Sequence, residues 1–377
     1  MARQLFFYGT LRDRATLDVV MGPQADAIEA VPARLRDHAV MSVVGEDYPT
    51  ILAAPGQVAE GVLVRGLAPE AIARLSYFED DFDYGLVEHV VETEAGEEPA
   101  EVFFVHADHL RPGPPWDFEA WSREKQPAFH QTAGELMSLY GQVPDEKVDD
   151  VWPGIRFRAY ARARATGEED TVRLRSGLGR DDVELHGRTR PYVDYFAVED
   201  LEVSHATFAG GRQGPMRRAI FATGDAVAVL PFDPRTGQVL LIEQFRPAPL
   251  ARGAGVPWLL EPVAGRIDSA EDPEATARRE AREEAGVELG RLDPLPPFYS
   301  SPGTVTEKMF CYVAECDLSD AGGIHGLDDE HEDIRSILVD TDALGEVLGS
   351  GEVENGPLLA LIQHLLLHRA RLLQEWG

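Results

Sequence analysis

Apolar and polar residues alternate in short runs over both ends of the chain, and one long middle stretch breaks that two-residue period. The first run, residues 4–8 (QLFFY), predicts a short strand that stops at Gly9-Thr10-Leu11, with a helix expected from residue 12 to about 21. Residues 58–64 (VAEGVLV) alternate and predict a strand; a helix over 69–75 and strands over 87–93 and 100–105 follow. From 121 to 166 the chain reads as helical, with apolar Leu136, Leu139, Tyr140, Val151, Ile155 and Phe157, and with Pro127, Pro144 and Pro153 as punctuation. Its arginines 156, 158, 162 and 164 read as a solvated helix face or as partners for acidic surface. The strand period returns over 197–208 and 217–221. Residues 226–234 and 239–246 predict a hairpin turned by Arg235-Thr236-Gly237. A strand over 308–316 and a helix over 358–373 complete an α/β (α+β) chain of three stretches: 1–125, a helical connector at 126–180, and 181–377.

One segment, residues 265–287 (GRIDSAEDPEATARREAREEAGV), carries a fixed spacing of Gly265, Glu271, Arg279, Glu280, Ala281, Glu283, Glu284, Gly286 and Val287. Asp272 followed by Pro273 starts a helix and Gly286 stops it, so a helix over 273–285 is expected. At ~100° per residue, Glu280, Glu283 and Glu284 share one edge beside apolar Ala277 and Ala281. Like charges four residues apart cost about 0.2–0.5 kcal/mol on an exposed helix and more on a dry face. A hard divalent cation removes that cost, and Mg²⁺ is held by a couple of carboxylates together with substrate phosphates. A solvated helix with Arg279 paired to Glu283 and Arg278 to Glu274 is the alternative; the flanking glycines at fixed spacing favour the metal site.

Charge narrows the partners. A formal net charge of −31 over 377 residues leaves no broad basic face for nucleic acid or an anionic membrane, so an anionic ligand must be held by metal ions and local arginines. Apolar content of 44% and charged content of 27% suit a globular chain of two or three domains. Cys311 and Cys316, an odd number of positions apart on one expected strand, point to opposite faces, so no disulfide is expected. The opening MARQLFFYGT lacks the apolar core of a signal peptide, and no run of about 18 apolar residues occurs, which gives a cytoplasmic reading.

The spacing of residues 265–287 resembles the Nudix box, and the stretch from about 181 to 377 resembles the ADP-ribose pyrophosphatase branch of that family. The resemblance implies a Nudix α/β/α sandwich at 224–377, preceded at 181–223 by strands that the branch exchanges between two subunits of a homodimer. It implies Mg²⁺, with Mn²⁺ as a substitute, on Glu280, Glu284, Glu283 and the carbonyl of Ala264. By position, the loop at 323–334 supplies the base, Glu330, with Glu332 as the second choice. Arg218, Arg246, Arg266 and Tyr195 are the implied contacts to a nucleoside diphosphate sugar, cleaved to AMP and ribose 5-phosphate. Another nucleoside diphosphate derivative, or an ADP-ribose sensor that does not cleave, are the alternatives.

The succession over residues 3–125 resembles the γ-glutamylcyclotransferase-like (AIG2-like) family, a small β-barrel flanked by helices. The turn Tyr8, Gly9, Thr10 and Leu11 then cradles substrate and Glu79 acts as general acid/base. Two positions depart from the family pattern: Asp80 stands where a glycine is usual and Leu86 where an arginine is. The two-domain order resembles bacterial proteins associated with tellurite resistance.

Overall fold

Leu5 and Phe7 of strand β1 (Arg3–Phe7) face one way and Phe6 the other, as a two-residue period requires, and each face meets its own core. The computed structural model describes residues 3–79, 84–105, 110–167, 173–268, 271–327 and 331–377. β1 is joined by β2 (Glu29–Val43), β3 (Pro49–Leu67), β4 (Tyr84–Thr93) and β5 (Gly96–Val105) in the order β3-β1-β5-β4-β2. β2 pairs back onto β3, which closes a five-stranded barrel and removes its edges. The short β6 (Pro112–Pro115) adds to β2. Phe6, Tyr8, Leu35, Ile51, Leu63 and Val102 fill the lumen.

Leu5, Phe7 and Leu11 instead meet helices α1 (Arg14–Met21), α2 (Pro69–Glu79), α3 (Phe118–Glu124), α4 (Gln126–Met137) and α5 (Val148–Thr166). α1 starts two residues later than expected, because Thr10–Arg12 forms a 3₁₀ turn and Asp13 then caps the helix. The stretch read as a connector buries Phe129, Leu136, Val151 and Ile155 in this same core, within the compact unit Met1–Gly177 with Val193–Tyr195. Pro153 lies inside α5 and does not end it. Arg158 is fully buried, its Nε donating to Glu135 at 2.6 Å, and Arg162 pairs with the same carboxylate. Of the two readings of this arginine cluster, the intramolecular one holds for these two, since a carboxylate as buried as Glu135 is tolerated only when paired.

The second unit comprises Leu178–Tyr192 and Phe196–Gly377. β7 (Val183–Val193), β8 (Ala197–Ala206) and β9 (Arg212–Ala222) make a three-stranded sheet. The larger sheet centres on β10 (Ala226–Asp233), which is antiparallel to β11 (Gln238–Phe245). Asp233 fixes their turn by accepting from the Arg235 and Thr236 N–H groups at 2.8 and 3.2 Å. After α6 (Pro247–Arg252), β12 (Trp258–Glu261) pairs with β11 and β13 (Val263–Arg266) with β10. Beyond α7 (Pro273–Ala285) come β14 (Leu289–Pro294), β15 (Phe298–Tyr299) and β16 (Lys308–Cys316), the last parallel to β10. β17 (Gly323–His325), β18 (Ile334–Asp340), α8 (Leu344–Ser350) and α9 (Gly356–Trp376) complete the unit. Val227 and Val229 pack on Ala277, Ala281 and Ala285 of α7, whereas Ala228 and Leu230 pack on Leu358, Leu361 and Leu365 of α9. The result is a sandwich, one helix on each face. Cys316 lies in the α7 core and Cys311 in the α9 core, both as free thiols. No described helix is long and apolar enough to cross a membrane.

Candidate active site

Asp272 caps α7, its carboxylate accepting from Ala275 N–H at 2.8 Å, and Gly286 ends the helix with φ 65°. This fixes which side chains meet β13. Glu284 is 2% exposed, and its Oε2 accepts from Ala264 N–H at 2.8 Å. Glu280 lies over Gly265 so closely that a Cβ there would sit 1.9 Å from its Oε1, which only glycine tolerates. Glu283, more exposed, pairs with Arg279 at 2.8 Å. Arg279 also reaches Glu280 (2.8 Å), Glu271 (3.1 Å) and the Arg266 carbonyl (3.3 Å). Burial lowers the Arg279 pKa, but these carboxylates more than offset it and the net shift is upward. Arg279 therefore holds the acidic edge in place. Arg278, which the alternative solvated-helix reading paired with Glu274, donates to the Leu289 and Gly290 carbonyls, anchoring the helix to the chain that follows it.

Among the described residues, no three His, Cys, Asp or Glu side chains converge as ready metal ligands. The donor chemistry nevertheless fits a hard cation. Burial raises the Glu284 pKa well above the usual carboxylate range; Ala264 N–H opposes this, Glu280 and Glu332 add to it, and Arg246 opposes it again. A buried carboxylate beside other carboxylates is the environment that a divalent ion with oxygen ligands stabilises.

The chain after β17 docks onto the end of the same helix. The His325 ring lies 3.0 Å from where a Cβ on Gly286 would be, and Gly326 N–H reaches the Glu283 carbonyl at 3.4 Å. Glu332 N–H donates to the Leu327 carbonyl (3.2 Å), and Leu327 N–H to the Glu332 carboxylate (3.4 Å). Glu332 thus lies close enough to Glu284 and Arg246 to act on the charge of both. Glu330 lies outside the described residues.

The expected substrate contacts are dispersed. Arg246 donates Nε and Nη2 to Glu261 Oε2 at 2.9 and 2.6 Å, and that buried carboxylate also receives Gln244 and Asn355. Arg266 stacks its guanidinium on Phe196, 4.8 Å from the ring centroid, and Phe196 packs at a tilt against Phe221. Arg218, exposed on β9, donates to the Arg217 carbonyl at 2.9 Å. Tyr195 groups with the first unit. Sequence reasoning passed over Glu261, Asn355 and the seat of His325, because long-range pairings such as Asn355 to Glu261 have no local period to announce them.

A second candidate site lies in the first unit, where Tyr8, Gly9, Thr10, Leu11 and Glu79 line one cavity of about 30 Å³. Glu79 is the last residue of α2, and desolvation pushes its pKa up to about 8. Tyr8 donates from its hydroxyl to the Phe103 carbonyl at 3.1 Å. Gly9 is pressed against Pro49, whose Cγ would be 2.9 Å from an added Cβ. Leu86 packs against the helix-side core; Asp80 lies outside the described residues. Phe129 of α4 also lines the cavity, so the stretch read as chemically silent contributes a wall.

Comparison with known proteins finds one family match within each of the two units. Residues 222–362 match the family described as "NUDIX domain", and residues 5–123 the one described as "Gamma-glutamyl cyclotransferase, AIG2-like". The ADP-ribose pyrophosphatase of Escherichia coli (strain K12) is 40% identical over 200 residues, 53% of this chain and 95% of that protein. The ADP-ribose pyrophosphatase of Haemophilus influenzae is 35% identical over 201 residues, 53% of this chain and 93% of that protein. The GDP-mannose pyrophosphatase of Enterobacter sp. (strain 638) is 35% identical over 175 residues, 46% of this chain and 88% of that protein.

Proposed function

We propose that this chain, which belongs to the Nudix hydrolase family through its C-terminal half, hydrolyses ADP-ribose to AMP and ribose 5-phosphate. The observation that carries the reading is the pair of carboxylates on α7, Glu280 seated over Gly265 and Glu284 on the Ala264 N–H. Nudix hydrolases act on pyrophosphate bonds and generally use divalent metals; the oxygen donors here fit Mg²⁺, with Mn²⁺ as a substitute. Glu280, Glu284, Glu283 and the Ala264 carbonyl would hold it, and when bound it would neutralise phosphate charge and polarise water. Glu330 or Glu332 takes the proton of the attacking water as an oxygen–phosphorus bond forms and the bridging bond breaks. Arg246 and Arg266 bring positive charge to the diphosphate. Arg218 acts across a homodimer formed by β7 to β9, a reading supported by the exposed Val183, Leu185, Tyr192 and Phe208 of that region. In the N-terminal unit, Glu79 serves as acid/base of a γ-glutamyl cyclotransferase-type pocket.

The test is AMP formation by the full chain from ADP-ribose, NADH, a GDP-sugar and a dinucleoside polyphosphate, for wild type and Glu284→Gln. Metal-dependent AMP release from ADP-ribose, lower by about 10³ in Glu284→Gln, is expected. The GDP-mannose pyrophosphatase relative favours a second reading, a nucleoside diphosphate sugar other than ADP-ribose; faster turnover of the GDP-sugar would select it. ADP-ribose binding without any turnover would make the protein a sensor.

A further inference from the structure

One carboxylate ties the end of β11 to the start of α9. Arg246 continues the extended backbone of β11, so its side chain leaves from the same side as those of Gln244 and Ile242, and Ile242 lies opposite Glu261 on β12. Three side chains converge on Glu261, which is 4% exposed. Its Oε2 accepts from Nε and Nη2 of Arg246 (2.9 and 2.6 Å) and from Nε2 of Gln244 (3.3 Å). Its Oε1 accepts from Asn355 Nδ2 at 3.1 Å. Asn355 is itself fixed, because its Oδ1 caps α9 by accepting from Leu358 N–H at 2.9 Å. A buried carboxylate held at both oxygens cannot turn without leaving its donors unpaired.

The arginine, in contrast, is held along one edge only. Its backbone N–H donates to the Pro257 carbonyl at 2.8 Å and its Nε and Nη2 face Glu261, while among the described residues Nη1 makes no hydrogen bond. The side chain keeps 38% exposure and lies near enough to Glu284 and Glu332 for both to act on its charge. A planar guanidinium with one edge occupied presents its remaining donors in a fixed direction. We infer that Glu261 and Asn355 are positioning residues for the diphosphate: Glu261 holds Arg246 so that Nη1 is kept for a phosphate oxygen, and Asn355 keeps Glu261 from turning. The inference rests on the reading of this site as a pyrophosphatase centre in which Arg246 meets the diphosphate.

Steady-state kinetics of the full chain at saturating Mg²⁺ tests it, on ADP-ribose or a GDP-sugar, whichever wild type turns over faster. In Glu261→Gln the amide must turn an N–H group toward either Arg246 or Asn355. Because Arg246 meets the diphosphate in the bound substrate as well as in the transition state, KM rises by about tenfold or more and kcat falls less. Asn355→Ser keeps an N-cap on α9 and removes only the donor to Glu261, so KM rises by about threefold to tenfold. That variant carries the test if Glu261→Gln does not fold by near-UV circular dichroism. Arg246→Gln raises KM at least as much as Glu261→Gln, and combining either variant with it adds nothing, since a residue that acts through Arg246 has nothing to act on once the guanidinium is gone. Additive effects, a KM unchanged or lowered, or a loss of kcat alone, as a partly unfolded sample gives, overturn the positioning role and leave the hydrolase reading intact. A wild type that turns over neither sugar nucleotide sinks the pyrophosphatase reading instead, and the inference with it.

Discussion

Glu79 and Glu284 are both driven toward their neutral forms, and their surroundings call for different remedies. Among the described residues burial is what raises Glu79, and a pKa of about 8 suits a group that gives and takes a proton near neutral pH. Around Glu284 burial is joined by Glu280 and Glu332, with Ala264 N–H and Arg246 opposing. Several carboxylates facing one another are stabilised by a cation, not by one proton. Desolvation by itself therefore does not tell an acid/base from a metal ligand; the charge of the neighbours does.

The base on the loop gives the largest effect by which to break this comparison. Glu330→Gln or Glu332→Gln should lower kcat for AMP release by about 10²–10⁴, with KM changed far less in whichever position is the base. If both variants keep full kcat, the loop supplies no base. Gly265→Ala comes next. The new Cβ would collide with Glu280, and a displacement of about 1 Å in such a site costs about 10²-fold in rate. An unchanged rate in that variant would remove Glu280 from the proposed metal site.

Smaller and of a different kind is the pH effect at Glu79. Its folded pKa is raised, so the stability it contributes is full below about 4.5, the unperturbed value, and is lost as pH rises through about 8. Thermal unfolding of the first unit should therefore weaken over that window, unaffected by Mg²⁺, and Glu79→Gln should flatten the curve. A wild-type curve already flat there would place Glu79 in contact with water. The smallest expected effect is at His325, whose ring lies against Gly286 at the end of α7. His325→Ala should reduce kcat by about threefold to tenfold with little change in KM, and His325→Asn should restore part of it.

Much of the second unit was legible in advance because its elements obey local periods. The α7 cap at Asp272, its stop at Gly286, the β10–β11 turn and the opposed Cys311 and Cys316 follow from residue type and spacing alone. The first unit was less legible: β2 (Glu29–Val43) mixes Pro32, two arginines and Asp37 into its length, and its strand character comes from pairing with β3 and β4. Arg158 read as surface or as an intramolecular partner, and only the distant Glu135 decided for burial.

The sequence by itself determined that α7 forms and that three glutamates share its edge, because capping, helical spacing and side-chain chemistry are local. It also determined where strands of each unit alternate, and hence that each unit has two faces to bury. Only the tertiary structure decided that Glu280 sits on Gly265, that Glu332 comes close to Glu284, and that Phe129 walls the cavity of Glu79. Those placements depend on how strands and helices far apart in the chain pack together, and burial and charge neighbours, which set both carboxyl chemistries, exist only after that packing.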